Sequence, residues 1–142
     1  MINYDVIIVG AGPAGIGVAS LLNQSDLNVL ILDKNEIGNS FFQWPENMEM
    51  ITPSFPSNAF GQMDLNSIYE STSPAFAFNK EHLTGEEYGF YLPGVSEHLA
   101  LNVQKNNEVT KVYQGENGWI LETERGQYFC KYLVWAAGEF QN

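Results

Sequence analysis

Three glycines, Gly10, Gly12 and Gly15, follow the apolar run from Tyr4 to Val9, and the acidic Asp33 stands eighteen residues after Gly15. This order of residue types suits a loop that holds a phosphate. Gly10 permits a tight turn, Gly12 lets the backbone approach a pyrophosphate, and Gly15 lets a helix pack closely on the preceding strand. Pro13 fits the first helical turn, where its missing N–H costs nothing. The helix start offers unpaired N–H groups and roughly half a positive charge to an anion. Asp33 can accept hydrogen bonds from a ribose diol and would repel a 2′-phosphate. A dinucleotide other than NADP is therefore expected at this loop. These residues do not by themselves separate FAD from NAD.

Such a loop works only between a strand and a helix. Tyr4 to Val9 is apolar and β-branched at nearly every position, as in a parallel strand buried on both faces. Pro13 to Gln24 reads as a helix, and Asn28 to Leu32 as a second buried strand closed by Asp33. The unit has the size of a right-handed parallel crossover, about thirty residues. From Gly38 to about Ser73 the pattern fades. Pro45, Pro53, Pro56 and Pro74 interrupt it, while Phe41, Phe42, Trp44, Phe55 and Phe60 make it too aromatic for a disordered linker. Short helical turns are expected there. Thr84 and Glu87 form a capping box. It opens a helix carrying Tyr88, Tyr91, Leu92, Val95 and Leu99, and Pro93 should kink that helix or start a second one. Leu101 to Val103 fits a short third parallel strand. Val109 to Gln114 and Trp119 to Thr123 flank Asn117-Gly118, the strongest short hairpin signal. Arg125-Gly126 turns into Gln127 to Cys130, and Tyr132 to Ala136 is a last apolar strand.

At 142 residues and 44% hydrophobic, the chain fills one domain of common size. Six basic against seventeen acidic residues give a net charge of −11, which argues against nucleic acid and anionic membranes as partners. No apolar stretch approaches the ~20 residues of a membrane span. Cys130, the one cysteine, suits a reducing cytoplasm and reads as a buried, inert thiol. His82 and His98 show no metal spacing and read as surface residues.

The assembled pattern resembles the N-terminal part of the two-dinucleotide-domain flavoproteins, which include the flavin-containing monooxygenases and the pyridine nucleotide-disulfide oxidoreductases. The resemblance rests on the glycine loop, on Asp33, and on Val134-Trp135-Ala136-Ala137-Gly138. In that superfamily such a hydrophobic strand ends in Ala-Thr-Gly; here Ala137 replaces the threonine. Gly38-Asn39-Ser40-Phe41-Phe42-Gln43-Trp44 is similar to the Gly-Gly-x-Trp region of the monooxygenases, with Asn39 in place of the second glycine. The resemblance implies an α/β, Rossmann-like FAD/NAD(P)-binding fold with a parallel sheet and a three-stranded antiparallel insert. It implies that Gly10, Gly12, Pro13, Ala14 and Gly15 surround the pyrophosphate. Asp33 would hold the adenosine ribose, with Lys34 beside it. Ser40 and the segment Phe41 to Trp44 would approach the flavin. The backbone near Val109 would meet the adenine, and Gly138 would pass the cofactor. Phe41 and Trp44 have an equally simple reading as core aromatics.

Residues 1–142 are then the N-terminal portion of an FAD-binding domain whose NAD(P)H domain lies outside the chain. The expected parent is an NAD(P)H-dependent flavin oxidoreductase, monooxygenase-like or disulfide-reductase-like, with negligible turnover by this segment alone. No cysteine lies between Gly38 and Pro53, which disfavours the glutathione-reductase type. A thioredoxin-reductase-like dithiol would lie beyond this chain. An incomplete sheet is expected to expose an edge or an apolar face and to associate with another copy through it. The rival reading is a non-catalytic module that holds NAD or an adenine nucleotide.

Overall fold

The computed structural model describes residues 1–54 and 64–138. Phe55, Pro56 and Phe60, named above, lie outside the described residues, as do the last four residues. Six strands form one sheet in the order β3-β2-β1-β6-β5-β4. They are β1 (Ile2–Val9), β2 (Val29–Leu32), β3 (Val103–Gln104), β4 (Val109–Gly115), β5 (Gly118–Thr123) and β6 (Gly126–Trp135). The helices are α1 (Pro13–Leu22), α2 (Asn39–Phe42), α3 (Pro74–Phe78) and α4 (Gly85–His98).

The apolar run Val6–Val9 that ends β1 has a direct physical reason. Val6 and Ile8 pack in one core cluster with Ile16 and Ala19 of α1 and with Tyr88, Tyr91, Leu92 and Val95 of α4. Ile7 and Val9 point the other way, into a second cluster with Leu30, Leu32, Leu121, Tyr128 and Cys130. Side chains alternate along a strand, so a strand covered on both faces must be apolar at every position. Ile7, Ile8, Leu30 and Leu32 are wholly buried, each contributing about 1.5–3 kcal/mol by the usual burial scale.

One element departs from the expected layout. The third strand of the antiparallel insert and the last parallel strand are a single strand, β6. Its first half pairs antiparallel with β5, from Thr123↔Gly126 to Trp119↔Cys130. The same strand pairs parallel with β1, from Ile2↔Tyr128 to Val9↔Trp135. Lys131, between the two expected segments Gln127–Cys130 and Tyr132–Ala136, sits on the surface with its Nζ 2.8 Å from Asp5 of β1. The pattern breaks there because an exposed cross-strand ion pair replaces an apolar contact, while the backbone runs on. Past Cys130, β6 pairs on its outer edge with no strand among the described residues, and Tyr132 and Trp135 are 65% and 60% exposed.

Pro93 neither ends nor divides α4, which runs from Gly85 to His98. The proline removes the donor for the Gly89 carbonyl. Gly38, in the left-handed region at φ +71°, lies against that carbonyl, and a Cβ there would meet it at 3.1 Å. The capping box at the start of α4 is complete: the Glu87 N–H donates to Thr84 Oγ1 and the Thr84 N–H to Glu87 Oε2.

Candidate functional site

The glycine loop joins the end of β1 to α1, and its three glycines meet different surroundings. Gly10 has φ +111°, and a Cβ on it would run into the Ala136 carbonyl. A Cβ on Gly15 would strike the Gly10 carbonyl. Both positions therefore need glycine for the protein's own packing. Gly12 does not. Its φ is −87°, and a Cβ built on it meets nothing within 4 Å. No internal contact calls for a glycine there, whereas a ligand approaching the backbone would.

Gly12 is the N-cap of α1, Pro13 opens the helix, and no side chain caps the first turn or places an acid in it. The Ile16 N–H reaches the Gly12 carbonyl at 2.9 Å. The Ala14 and Gly15 N–H groups precede it, at an exposed and a buried position respectively. An uncapped helix start attracts anions through its free N–H groups and dipole. The site thus fits a pyrophosphate.

Asp33 stands beside this loop. Its Oδ2 accepts from the Ala11 N–H at 2.6 Å and its Oδ1 from the Asn35 N–H at 2.7 Å. A carboxylate has about four acceptor directions, so capacity for a diol remains. Lys34, next to it, is exposed. The Ala11 carbonyl in turn accepts from the Gly38 N–H at 3.1 Å, which fastens the start of α2 to the same loop. Val109 opens β4, two residues past Asn107, whose N–H donates to the Asp33 carbonyl at 2.9 Å. Gly138, at φ +88°, follows Ala136, whose N–H donates to the Val9 carbonyl at 2.8 Å. The glycine loop, Asp33, Lys34, the segment before Val109 and the turn into Gly138 are thereby brought together.

The aromatic segment is held differently. Phe41 packs on Tyr88 and Trp44, with ring centroids 4.8 and 5.1 Å away. A Cβ on Gly85 would meet Trp44 Cβ at 2.7 Å, so Trp44 rests on the first turn of α4. Ser40 is exposed on α2. A cleft of about 570 Å³ opens beside them, lined by Phe41, Phe42, Trp44, Thr84 and Gly85 and rimmed by glutamates. A smaller cavity of about 200 Å³ includes Asn23, Asn28 and Asn102 in its lining. Neither is lined by the glycine loop.

The other candidates read from composition have structural roles. Cys130 is buried and free, and burial pushes its thiol up, away from the reactive thiolate. His82 is half-buried rather than on the surface, its Nδ1 2.9 Å from the Met50 carbonyl oxygen. Among the described residues no group of acidic, histidine or cysteine side chains could hold a metal. No helix among them is long and apolar enough to cross a membrane. One contributor, Asn107, escaped the sequence reading and carried no signal there, since its burial depends on strands distant in sequence.

Known proteins resemble this chain in sequence and in fold. The uncharacterized oxidoreductase CzcO of Bacillus subtilis is 31% identical over 146 residues, covering 96% of this chain and 37% of that protein. The bacillithiol disulfide reductase of Staphylococcus aureus has the same fold, with a TM-score of 0.78 at 22% identity over 97% of this chain and 39% of its own. A flavin-containing monooxygenase from Stenotrophomonas maltophilia follows at TM-score 0.76 and 21% identity, covering 97% of this chain and 39% of its own. The chain therefore spans less than two-fifths of the length of each of these proteins. The pattern of one family runs from residue 7 in β1, through the glycine loop and Asp33, to residue 142. That match covers nearly every element that builds the site, and the chain belongs to the pyridine nucleotide-disulphide oxidoreductase family.

Proposed function

We propose that this chain is the FAD-binding segment of an NAD(P)H-dependent flavin oxidoreductase. The observation that carries the reading is the open space at Gly12, set at an uncapped helix start beside Asp33. In this reading Gly12, Pro13, Ala14 and Gly15 cradle the pyrophosphate and Gly10 shapes their turn. Asp33 and Lys34 take the adenosine ribose, and the backbone near Val109 takes the adenine. Ser40, Phe41 and Trp44 lie toward the flavin, and Gly138 closes the turn past it. When bound, the flavin supplies the redox chemistry, accepting hydride from a nicotinamide and passing electrons to oxygen or a disulfide. The chain's own residues bind and orient; the nicotinamide and the substrate are met by parts of the enzyme outside these residues. The relatives include both a monooxygenase and a disulfide reductase, and both types stay within the proposal.

A second reading, a nucleotide-binding module without catalysis, is favoured by one observation. Phe41 and Trp44 already have protein partners in Tyr88 and Gly85, so their presence does not require a flavin. Reconstitution separates the two readings. Flavin absorbance that travels with the protein after incubation with FAD supports the first. Thermal stabilisation by NAD and none by FAD overturns it in favour of the second.

A further inference from the structure

The backbone of Asp33 is held from both sides by one short segment. Its N–H donates to the Gln104 carbonyl at 3.1 Å, and its carbonyl accepts from the Asn107 N–H at 2.9 Å. The side chains of those same two residues meet at a buried phenol. Tyr128 Oη donates to Gln104 Oε1 at 2.7 Å, and Asn107 Nδ2 donates to Tyr128 Oη at 3.2 Å and to Gln104 Oε1 at 3.0 Å. Tyr128 and Asn107 are 3% and 2% exposed. Gln104, Asn107 and Tyr128 thus form a closed polar triangle behind the acid.

Other ties reach the same loop, but they lie on the surface. Asn106 Nδ2 donates to Glu36 Oε1, Lys105 pairs with Glu36, and Arg125 donates to the Asn106 carbonyl. Exposed pairs of this kind contribute little. The triangle is buried, where each bond is stronger and each unmade bond is costly. Asn107 Oδ1 is itself buried without a partner, which costs the desolvation of that oxygen. Packing alone would be served as well by apolar side chains. What the polar triangle adds is direction: it fixes the orientation of the segment that grips Asp33. Tyr128 belongs to β6, whose far end carries Ala136 against Gly10. One strand therefore braces Asp33 through Tyr128 and the glycine loop through Ala136.

We propose that Tyr128, with Gln104 and Asn107, is a positioning residue for the adenosine end of the site, acting through Asp33. The inference rests on the reading above that Asp33 takes a ribose. A double-mutant cycle on the full chain tests it, with Tyr128→Phe, Asp33→Ala, the pair, and Gln104→Met as a second cut of the triangle. FAD affinity is read by quenching of flavin fluorescence, and FMN, which lacks the adenosine, serves as the contrast. Tyr128→Phe and Gln104→Met are each expected to weaken FAD binding roughly five- to tenfold and to leave FMN binding unchanged. In the Asp33→Ala background, Tyr128→Phe should add nothing, since its route to the ligand is gone. Additive losses, equal losses for FAD and FMN, or no loss at all overturn the inference while the FAD reading stands. A wild-type chain that binds no FAD overturns that reading and the inference with it.

Discussion

The Asp33 carboxylate accepts a hydrogen bond from the Ala11 backbone N–H at 2.6 Å, so the acid at the end of β2 is fastened to the glycine loop itself. Its second oxygen accepts from the Asn35 N–H. Asp33 therefore shapes the loop before any ligand arrives. Replacing it removes two charge-assisted bonds, each worth about 1.5–3 kcal/mol in typical mutational series. Asp33→Ala should lower the urea midpoint of the chain, and Asp33→Asn, which keeps one acceptor, should lower it less. Equal midpoints for wild type and Asp33→Ala would show that the bond to Ala11 contributes nothing.

The three glycines should separate cleanly. Gly10→Ala and Gly15→Ala each drive a Cβ into backbone, at Ala136 and Gly10 respectively, and Gly10 also sits at φ +111°. Both variants should lose stability on the scale of core overpacking, about 1–3 kcal/mol. Gly12→Ala meets open space at an ordinary φ. Its melting temperature should hold or rise slightly, because the unfolded chain loses freedom. Its dinucleotide affinity should collapse, because the methyl takes the space of the pyrophosphate. Full affinity in a stable Gly12→Ala protein would remove the phosphate from this loop.

The cap of α4 should report on acid. Burial pulls the Glu87 carboxyl upward, but the Thr84 N–H and the Lys80 ammonium 3.2 Å away outweigh it and hold the group below its ordinary value. A depressed carboxylate stabilises the fold above its unfolded pKa, and that contribution disappears as pH falls through the folded one. Glu87→Gln keeps a capping-box hydrogen bond yet does not titrate in this range. Wild type should therefore exceed Glu87→Gln in urea midpoint at neutral pH, and the two should converge on acidification below the ordinary carboxylate range. A gap that stays constant with pH contradicts this account.

Much of this fold is legible in the sequence because its signals are local. Gly10, Gly12, Gly15 and Asp33 lie within one strand-helix-strand unit, and the Thr84–Glu87 box spans a single turn. The less legible parts depend on distant partners. Lys131 interrupts an apolar run and reads as a boundary, but Asp5 supplies its charge partner across the sheet and β6 continues. Pro93 reads as a break, yet Gly38, more than fifty residues earlier, packs against the carbonyl it leaves bare. Asn107 looks like a turn residue and is buried only because Tyr128 arrives from β6. Phe41 and Trp44 mark a special segment by composition, but whether they face solvent, core or ligand depends on α4.

Two glycines of α4 make that last dependence measurable. Gly85 lies under the aromatic segment: a Cβ there would strike the Phe41 carbonyl and come within 2.7 Å of Trp44 Cβ. Gly94, in the same helix, faces open space. Adding a methyl at Gly94 replaces a poor helix former by the best one, which should stabilise the chain by about 0.5–1 kcal/mol. The same methyl at Gly85 must push α2 away from α4, and the melting temperature should fall. In the proposed reading the displaced segment also lines the flavin's place, so Gly85→Ala should weaken FAD binding while Gly94→Ala leaves it intact. If Gly85→Ala lowers stability but binds FAD as wild type does, Phe41 and Trp44 are packing residues alone, and the flavin lies elsewhere along the loop.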